Sequence, residues 1–205
     1  MISNYYINIG FSELYNINSI TNIQSIIYLG LLSNKLIKDA NIKYEDLSLL
    51  GVQLERDKEK VDGYHYLHEY ANLFFNARNS MMYYLIHNHN INDLCILVFD
   101  INVININKTY VSDGNCAKGI TNKYPANIGY RYLNASDIKS RYWVYEDGSI
   151  NEILKNEMSS EVLVLNKIPQ HFIKRIIVAN EIAKNNIEKL NVKIDIEINK
   201  DLFFC

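Results

Sequence analysis

Glu161-Val162-Leu163-Val164-Leu165-Asn166 reads as a short strand buried on both faces, because its apolar core is continuous rather than alternating and Pro169 closes it. Two small residues, Ser159 and Ser160, stand directly before it, and before them the pattern is irregular all the way from Cys116. So long an irregular stretch in a compact chain generally carries function. A carboxylate at the mouth of such a strand has two readings. It can face a cleft, or it can be a strand-end charge facing water.

Working outward, Phe172 to Val178 is a further strand, Asn180 caps a helix that runs to about Leu190, and Val192 to Ile198 alternates as a last strand. Upstream, Asp93 to Asp100 has the same continuous apolar character. Lys108 to Val111 forms another strand, ending in the turn Ser112-Asp113-Gly114-Asn115. Near the start, Glu13 to Asn18 alternates as a strand. Ser19 or Thr21 caps a short helix through Leu29, with Ile23, Ile26 and Ile27 on one face and Gly30 as its stop. Ser33 to Asp39 forms a second short helix, and Ser80 caps a third from Met81 to His87. Asn41 to Val61 reads as a long loop with a strand fragment at Leu47 to Gln53, and Asn134 opens a short helix reaching Trp143. The order is a strand, helices, then mostly strands with one late helix. That lacks the β-α-β-α alternation of a doubly wound sheet. The expected class is α+β, with two small sheets packed together and flanked by short helices. With two prolines, no repeat and no linker, residues 1–205 are expected to form one domain.

The composition is that of an ordinary globular protein: 48% hydrophobic, 21% charged, formal net charge −2. That charge supplies no global attraction to phosphate, so nucleic-acid contact would need a local basic patch and aromatic stacking. Abundant asparagine and isoleucine have a bland explanation in AT-rich codon usage. The opening residues lack a basic segment followed by an apolar one, and the longest apolar runs are too short to span a bilayer. Cys95, Cys116 and Cys205 are odd in number and widely spaced, which points to neither a disulfide framework nor a zinc site. Cys95 lies within an apolar strand and reads as a core residue, and Cys205 as exposed. The expected location is a reducing cytoplasm, with no membrane partner.

Conventional nucleotide and hydrolase signatures, Gly-x-Gly-x-x-Gly, Gly-x-x-x-x-Gly-Lys-Ser/Thr and Gly-x-Ser-x-Gly, do not occur. His87 and His89 are the nearest approach to a metal pair, but positions two apart on a helix do not share a face, so no metal is expected. Arg78, in Asn76-Ala77-Arg78-Asn79-Ser80, reads as a loop arginine, and His68 and Tyr70 as core-edge residues. Trp143 follows Arg141-Tyr142 and reads first as an anchor pinning a loop to the core, second as a stacking platform for a base.

Several segments, in this order, resemble the DarT family of toxin ADP-ribosyltransferases that modify DNA bases. Leu14 to Ser33 is similar to the family's opening strand and helix. The run Leu67-His68-Glu69-Tyr70-Ala71-Asn72-Leu73-Phe74-Phe75-Asn76-Ala77-Arg78-Asn79-Ser80-Met81-Met82-Tyr83 resembles its most specific signature. Ser112 to Ala117, Asp137-Ile138, Arg141-Tyr142-Trp143 and Ser160 to Val164 match further motifs. The resemblance extends from about Leu14 to Phe204. It implies the ADP-ribosyltransferase split pair of sheets that grips NAD+ as co-substrate, with no metal. It also implies roles. Glu161 and Arg78 would be catalytic. Asn16, Ile17, Asn18, Thr21, Asn22, Gly30, Ser33, Arg78, Met81 and Tyr83 would form the cofactor pocket. Tyr142, Trp143, Arg141 and His68 would meet the DNA. The implied reaction moves ADP-ribose to a thymine or guanine of single-stranded DNA with release of nicotinamide. The implied setting is a toxin–antitoxin system whose partner is a macrodomain antitoxin of the DarG type, the toxin itself being a monomer. Carboxylate chemistry suits this reaction, because breaking the ribose–nicotinamide bond builds positive charge on the ribose. The chain departs from the family at Asn16 and Asn18, where histidine and threonine are usual. It also departs at Lys155 to Ser160, where the family is often strongly basic. Two alternatives keep the fold: a transferase acting on RNA or protein, and a non-enzymatic module that binds NAD or nucleic acid.

Overall fold

The structure, a computed structural model, describes residues 1–205. Its strands are β1 (Glu13–Ser19), β2 (Leu31–Leu32), β3 (Tyr70–Phe74), β4 (Leu94–Asp100), β5 (Thr109–Ser112), β6 (Lys123–Pro125), β7 (Glu161–Leu165), β8 (Lys167–Ile168), β9 (Ile173–Val178) and β10 (Ile196–Ile198). The helices are α1 (Ser3–Asn8), α2 (Ile23–Leu29), α3 (Asn34–Asp39), α4 (Leu50–Arg56), α5 (Ser80–Asn88), α6 (Ala126–Gly129), α7 (Ala135–Ile138), α8 (Glu152–Glu157) and α9 (Glu181–Glu188). Eight strands share one sheet in the order β10-β9-β4-β1-β3-β7-β5-β6, and β2 pairs with β8 separately. The α+β class is as expected.

The split is built into the large sheet. β1 pairs with β4 along its whole length, from Glu13 opposite Asp100 to Ser19 opposite Leu94. Against β3 it pairs only where Tyr15 meets Phe74. The sheet is therefore two four-stranded halves joined at one point. Beyond that point the Asn16 side chain crosses the gap, its Nδ2 donating to the Asn72 carbonyl at 3.2 Å. A side-chain amide thus satisfies a main-chain acceptor that the interrupted ladder leaves open.

The apolar run of β4 is continuous because both of its faces are covered. Cys95, Leu97 and Phe99 join a core with Ile23 and Ile26 of α2 and Ala183 and Ile187 of α9. Leu94, Ile96 and Val98 pack on the other side with Met82 and Leu85 of α5. Local signals act as expected at several ends. Asn180 accepts from the Ala183 N–H at 3.0 Å and starts α9, and Ser33 caps α3. The cap of α5 is Asn79, which accepts from Met81 and Met82, one residue before the expected Ser80.

Three expectations need correction. The Leu47–Gln53 strand fragment is instead a non-helical turn into α4, which begins at Leu50, and Leu47 packs beside Ile17 and Phe74. The helix expected to reach Trp143 stops at Ile138, because Asn76 Nδ2 donates to the Ile138 carbonyl at 2.7 Å and to that of Ser140 at 3.3 Å. The stretch from Cys116 to Ser160 is not structureless, for it holds β6, α6, α7 and α8.

Gly30 ends α2 at φ 86°, ψ 175°, a conformation open to glycine, and an added Cβ would lie 2.5 Å from the Ile168 carbonyl oxygen. Gly30→Ala is expected to cost about 2 kcal/mol. A urea unfolding midpoint equal to wild type would show that the turn relaxes freely.

Candidate active site

Glu161 is placed by register. It lies opposite Phe74 in the β3–β7 pair, so both side chains project from one face, along with Asn72 and Tyr70. That face borders a cavity of about 280 Å³ which opens where β1 and β3 part. Asn16, Ile17 and Asn18 of β1 line one side, Tyr70, Asn72 and Phe74 of β3 the floor, and Met81 and Tyr84 of α5 one end. The far wall is the segment Tyr44–Leu49 together with Val52, Gln53 and Arg56 of α4.

At 1% exposure Glu161 is buried, yet it is well satisfied. Its N–H donates to Ser112 Oγ at 2.9 Å, and its Oε1 accepts from the Cys116 N–H at 2.9 Å. Arg56 then grips both carboxylate oxygens, Nη1 to Oε1 and Nη2 to Oε2, each at 3.1 Å. The Arg56 side chain is only 13% exposed. Burial disfavours its charge, but the adjacent Glu161 carboxylate outweighs that and raises the guanidinium pKa above its usual value. The fork geometry fixes the plane of the carboxylate, and Oε2 accepts one hydrogen bond where Oε1 accepts two. Nearby, Cys116 has its thiol pKa pushed well up, by burial first and the Glu161 charge second, so it stays protonated and is no nucleophile.

Of the residues put forward from sequence, Asn16, Ile17, Asn18, Asn22, Met81, His68 and Glu161 line this cavity. Others do not. Thr21 turns its hydroxyl to Glu45, Ser33 caps α3, and Gly30 shapes the turn beside a second, smaller hollow. Tyr83 follows Met81 by two positions on α5 and so faces elsewhere; its ring meets Trp143 at 5.5 Å and Phe204 at 5.4 Å. His68 borders the cavity but faces α4, with Nε2 3.1 Å from Asp57 Oδ1. Burial, partly opposed by Gln53 and Asp57, lowers its pKa.

Arg78 does not line the cavity. It is 6% exposed, with Nε donating to the Arg141 carbonyl at 3.0 Å and Nη1 to the Asp201 carbonyl. Its guanidinium lies 3.9 Å from the Phe204 ring centre and 5.1 Å from that of Tyr142. Arg141 binds the Asp201 carboxylate. Trp143 is buried against Tyr83 and Phe204, as an anchor should be, while Tyr142 remains exposed. Arg78, Arg141, Tyr142 and Trp143 thus form a second cluster, separate from the Glu161 cavity. Arg56 is the residue that local patterns miss. Its segment is mixed and mostly exposed, and its partner lies 105 positions away in sequence. No helix is long and apolar enough to cross a membrane.

Comparison with known proteins agrees with this fold. A DNA ADP-ribosyl transferase–DNA ADP-ribosyl glycohydrolase fusion protein of Thermosipho africanus is 29% identical over 181 residues, 87% of this chain and 45% of that protein. This chain therefore spans about half the length of the curated relative it matches. The solved Thermosipho africanus DarTG in complex with ADP-ribose superposes with a TM-score of 0.83 at 28% identity, over 95% of this chain and 51% of that one. The Thermus sp. 2.9 DarT in complex with ADP-ribosylated ssDNA gives 0.79 at 18% identity, over 94% and 96%, and shares the fold. The family model described as "ssDNA thymidine ADP-ribosyltransferase, DarT" matches residues 15–204, and the chain belongs to that family.

Proposed function

We propose that the protein transfers ADP-ribose from NAD+ to a base of single-stranded DNA, thymidine being the nucleoside that the family description names. The carrying observation is the buried Glu161–Arg56 pair beside a cavity lined by amides and apolar side chains, with Glu45 and Asp46 on its far wall. About 280 Å³ is the low end of sites that enclose a small molecule, and suits the nicotinamide–ribose end of NAD+. Glu161 offers Oε2 to the ribose hydroxyls and sets a negative charge beside the ribose as the bond to nicotinamide breaks. The electron pair of that bond leaves with nicotinamide, and a base nitrogen bonds to the same ribose carbon while its proton is released to water. In a cavity with little water a fixed carboxylate counts for more than it would in solution. Arg56 holds the Glu161 carboxylate in one orientation through its two hydrogen bonds. Asn16, Asn18 and Met81 hold the cofactor end. Arg78 anchors the substrate segment and Tyr142 presents a stacking surface to DNA. The partner is a glycohydrolase of the DarG type, since the Thermosipho relative joins both activities in one chain.

The direct test is mass spectrometry of a single-stranded oligonucleotide after incubation with protein and NAD+. The expected result is a gain of one ADP-ribose, located on thymine by fragmentation. An unmodified set of oligonucleotides of varied sequence would refute the DNA assignment, and label removed by protease alone would favour a protein target. Tyr142→Ala is expected to weaken single-stranded DNA binding about tenfold with the KM for NAD+ unchanged. Fluorescence anisotropy reads the first quantity and nicotinamide release the second.

A further inference from the structure

The segment Tyr44–Leu49, which walls the cavity, is held in place chiefly through Glu45. The Glu45 N–H donates to Asn22 Oδ1 at 2.9 Å, and Asn22 Nδ2 donates to the Glu45 carbonyl at 2.8 Å. The Glu45 carboxylate Oε2 accepts from Ser19 Oγ at 2.5 Å and from Thr21 Oγ1 at 2.8 Å. These hydroxyls, Ser19 first and Thr21 second, hold the carboxyl below its usual pKa. Asn22 is itself part of a file of amides. Its Nδ2 also donates to Asn18 Oδ1 at 2.8 Å, Asn18 Nδ2 donates to Asn16 Oδ1 at 2.9 Å, and Asn16 reaches the Asn72 carbonyl. The floor of the cavity is thereby tied to the segment that walls it. The same segment runs directly into α4, whose last residue is Arg56.

We propose that Glu45 is a positioning residue for the transfer reaction. Its clasp on Ser19, Thr21 and Asn22 sets the closed position of residues 41–56, and so seats Arg56 on Glu161 and completes the wall of the NAD+ site. The kinetic half of this inference rests on the function proposed above. Glu45 lies on the exposed side of the segment, so its replacement leaves the core intact.

The variants are Glu45→Ala, Glu45→Gln and Glu45→Ala combined with Thr21→Val, all in the full chain. Two readouts apply: nicotinamide release over a range of NAD+, and the rate of trypsin cleavage after Arg56 without ligand. Glu45→Ala is expected to raise the KM for NAD+ about tenfold with kcat within about twofold, because bound NAD+ recloses the wall at saturation. Cleavage after Arg56 accelerates about tenfold as the guanidinium leaves Glu161. Glu45→Gln recovers most of both losses, since its amide oxygen accepts from the same two hydroxyls. The double variant is no worse than Glu45→Ala, because both changes remove one clasp. Wild-type cleavage kinetics in Glu45→Ala would overturn the proposal. So would a Gln variant as impaired as Ala in KM but with wild-type cleavage, which would point to a charge acting on the ligand. Absence of nicotinamide release in wild type would refute the proposed function instead, while the trypsin comparison still decides the clasp.

Discussion

Glu161→Gln is expected to lower NAD-dependent nicotinamide release, and transfer to a single-stranded oligonucleotide, on the order of 10³-fold. Glutamine keeps the size of the side chain and can still accept from the Cys116 N–H. What it removes is the negative charge beside the ribose, in a site where water cannot substitute. It also leaves Arg56 without its counter-charge, which is expected to cost about 3 kcal/mol of stability because the guanidinium is largely buried. Activity is therefore read well below the unfolding transition of the variant, with the midpoint measured alongside. A Gln variant that turns over within tenfold of wild type would remove Glu161 from the chemistry.

Arg56→Ala should have the second largest effect, a drop of about 10²-fold in kcat together with roughly 3 kcal/mol of stability. The bidentate grip at 3.1 Å on both oxygens fixes the plane of the Glu161 carboxylate, and without it the Cys116 N–H is the remaining donor. Arg56→Lys restores a charge but not the fork, so it should recover stability better than rate. Single-turnover nicotinamide release separates the two. If Arg56→Ala loses stability and keeps its rate, the pair braces the fold and Glu161 works alone. Arg78→Ala is a useful contrast: Arg78 is as buried as a core residue and is held by Arg141, Asp201 and Phe204. The two buried arginines thus stand in separate clusters with different partners.

Arg56 shows where local patterns stop informing. The resemblance selected Arg78 because Asn76-Ala77-Arg78-Asn79-Ser80 is a compact, specific motif. Arg56 stands in a mixed, largely exposed segment with no such context. Asn16, Ile17 and Asn18 line the cavity, because one strand carries them and that strand forms an edge of the split. Thr21, Gly30, Ser33 and Tyr83 lie close in sequence to cavity residues but have other structural work. On α5, Met81 reaches the cavity and Tyr83 does not, a distinction set by about 100° of helical rotation per residue.

Sequence alone determined the elements whose causes are local. The buried strand at Glu161 follows from its continuous apolar run, the start of α9 from Asn180, the end of α2 from Gly30, and the α+β class from the order of these elements. Tertiary structure decided what needed partners distant in the chain. One Tyr15–Phe74 pairing joins two half-sheets and opens a cavity beside it. The Phe74–Glu161 register turns a strand-end carboxylate inward, where it could as well have faced water. Burial then made that charge require a cation, and α4, read locally as loop and strand, supplies it through Arg56. The physical reason is separation: caps, turns and periodicity act over a few residues, whereas an ion pair 105 positions apart exists only once the chain has closed on itself.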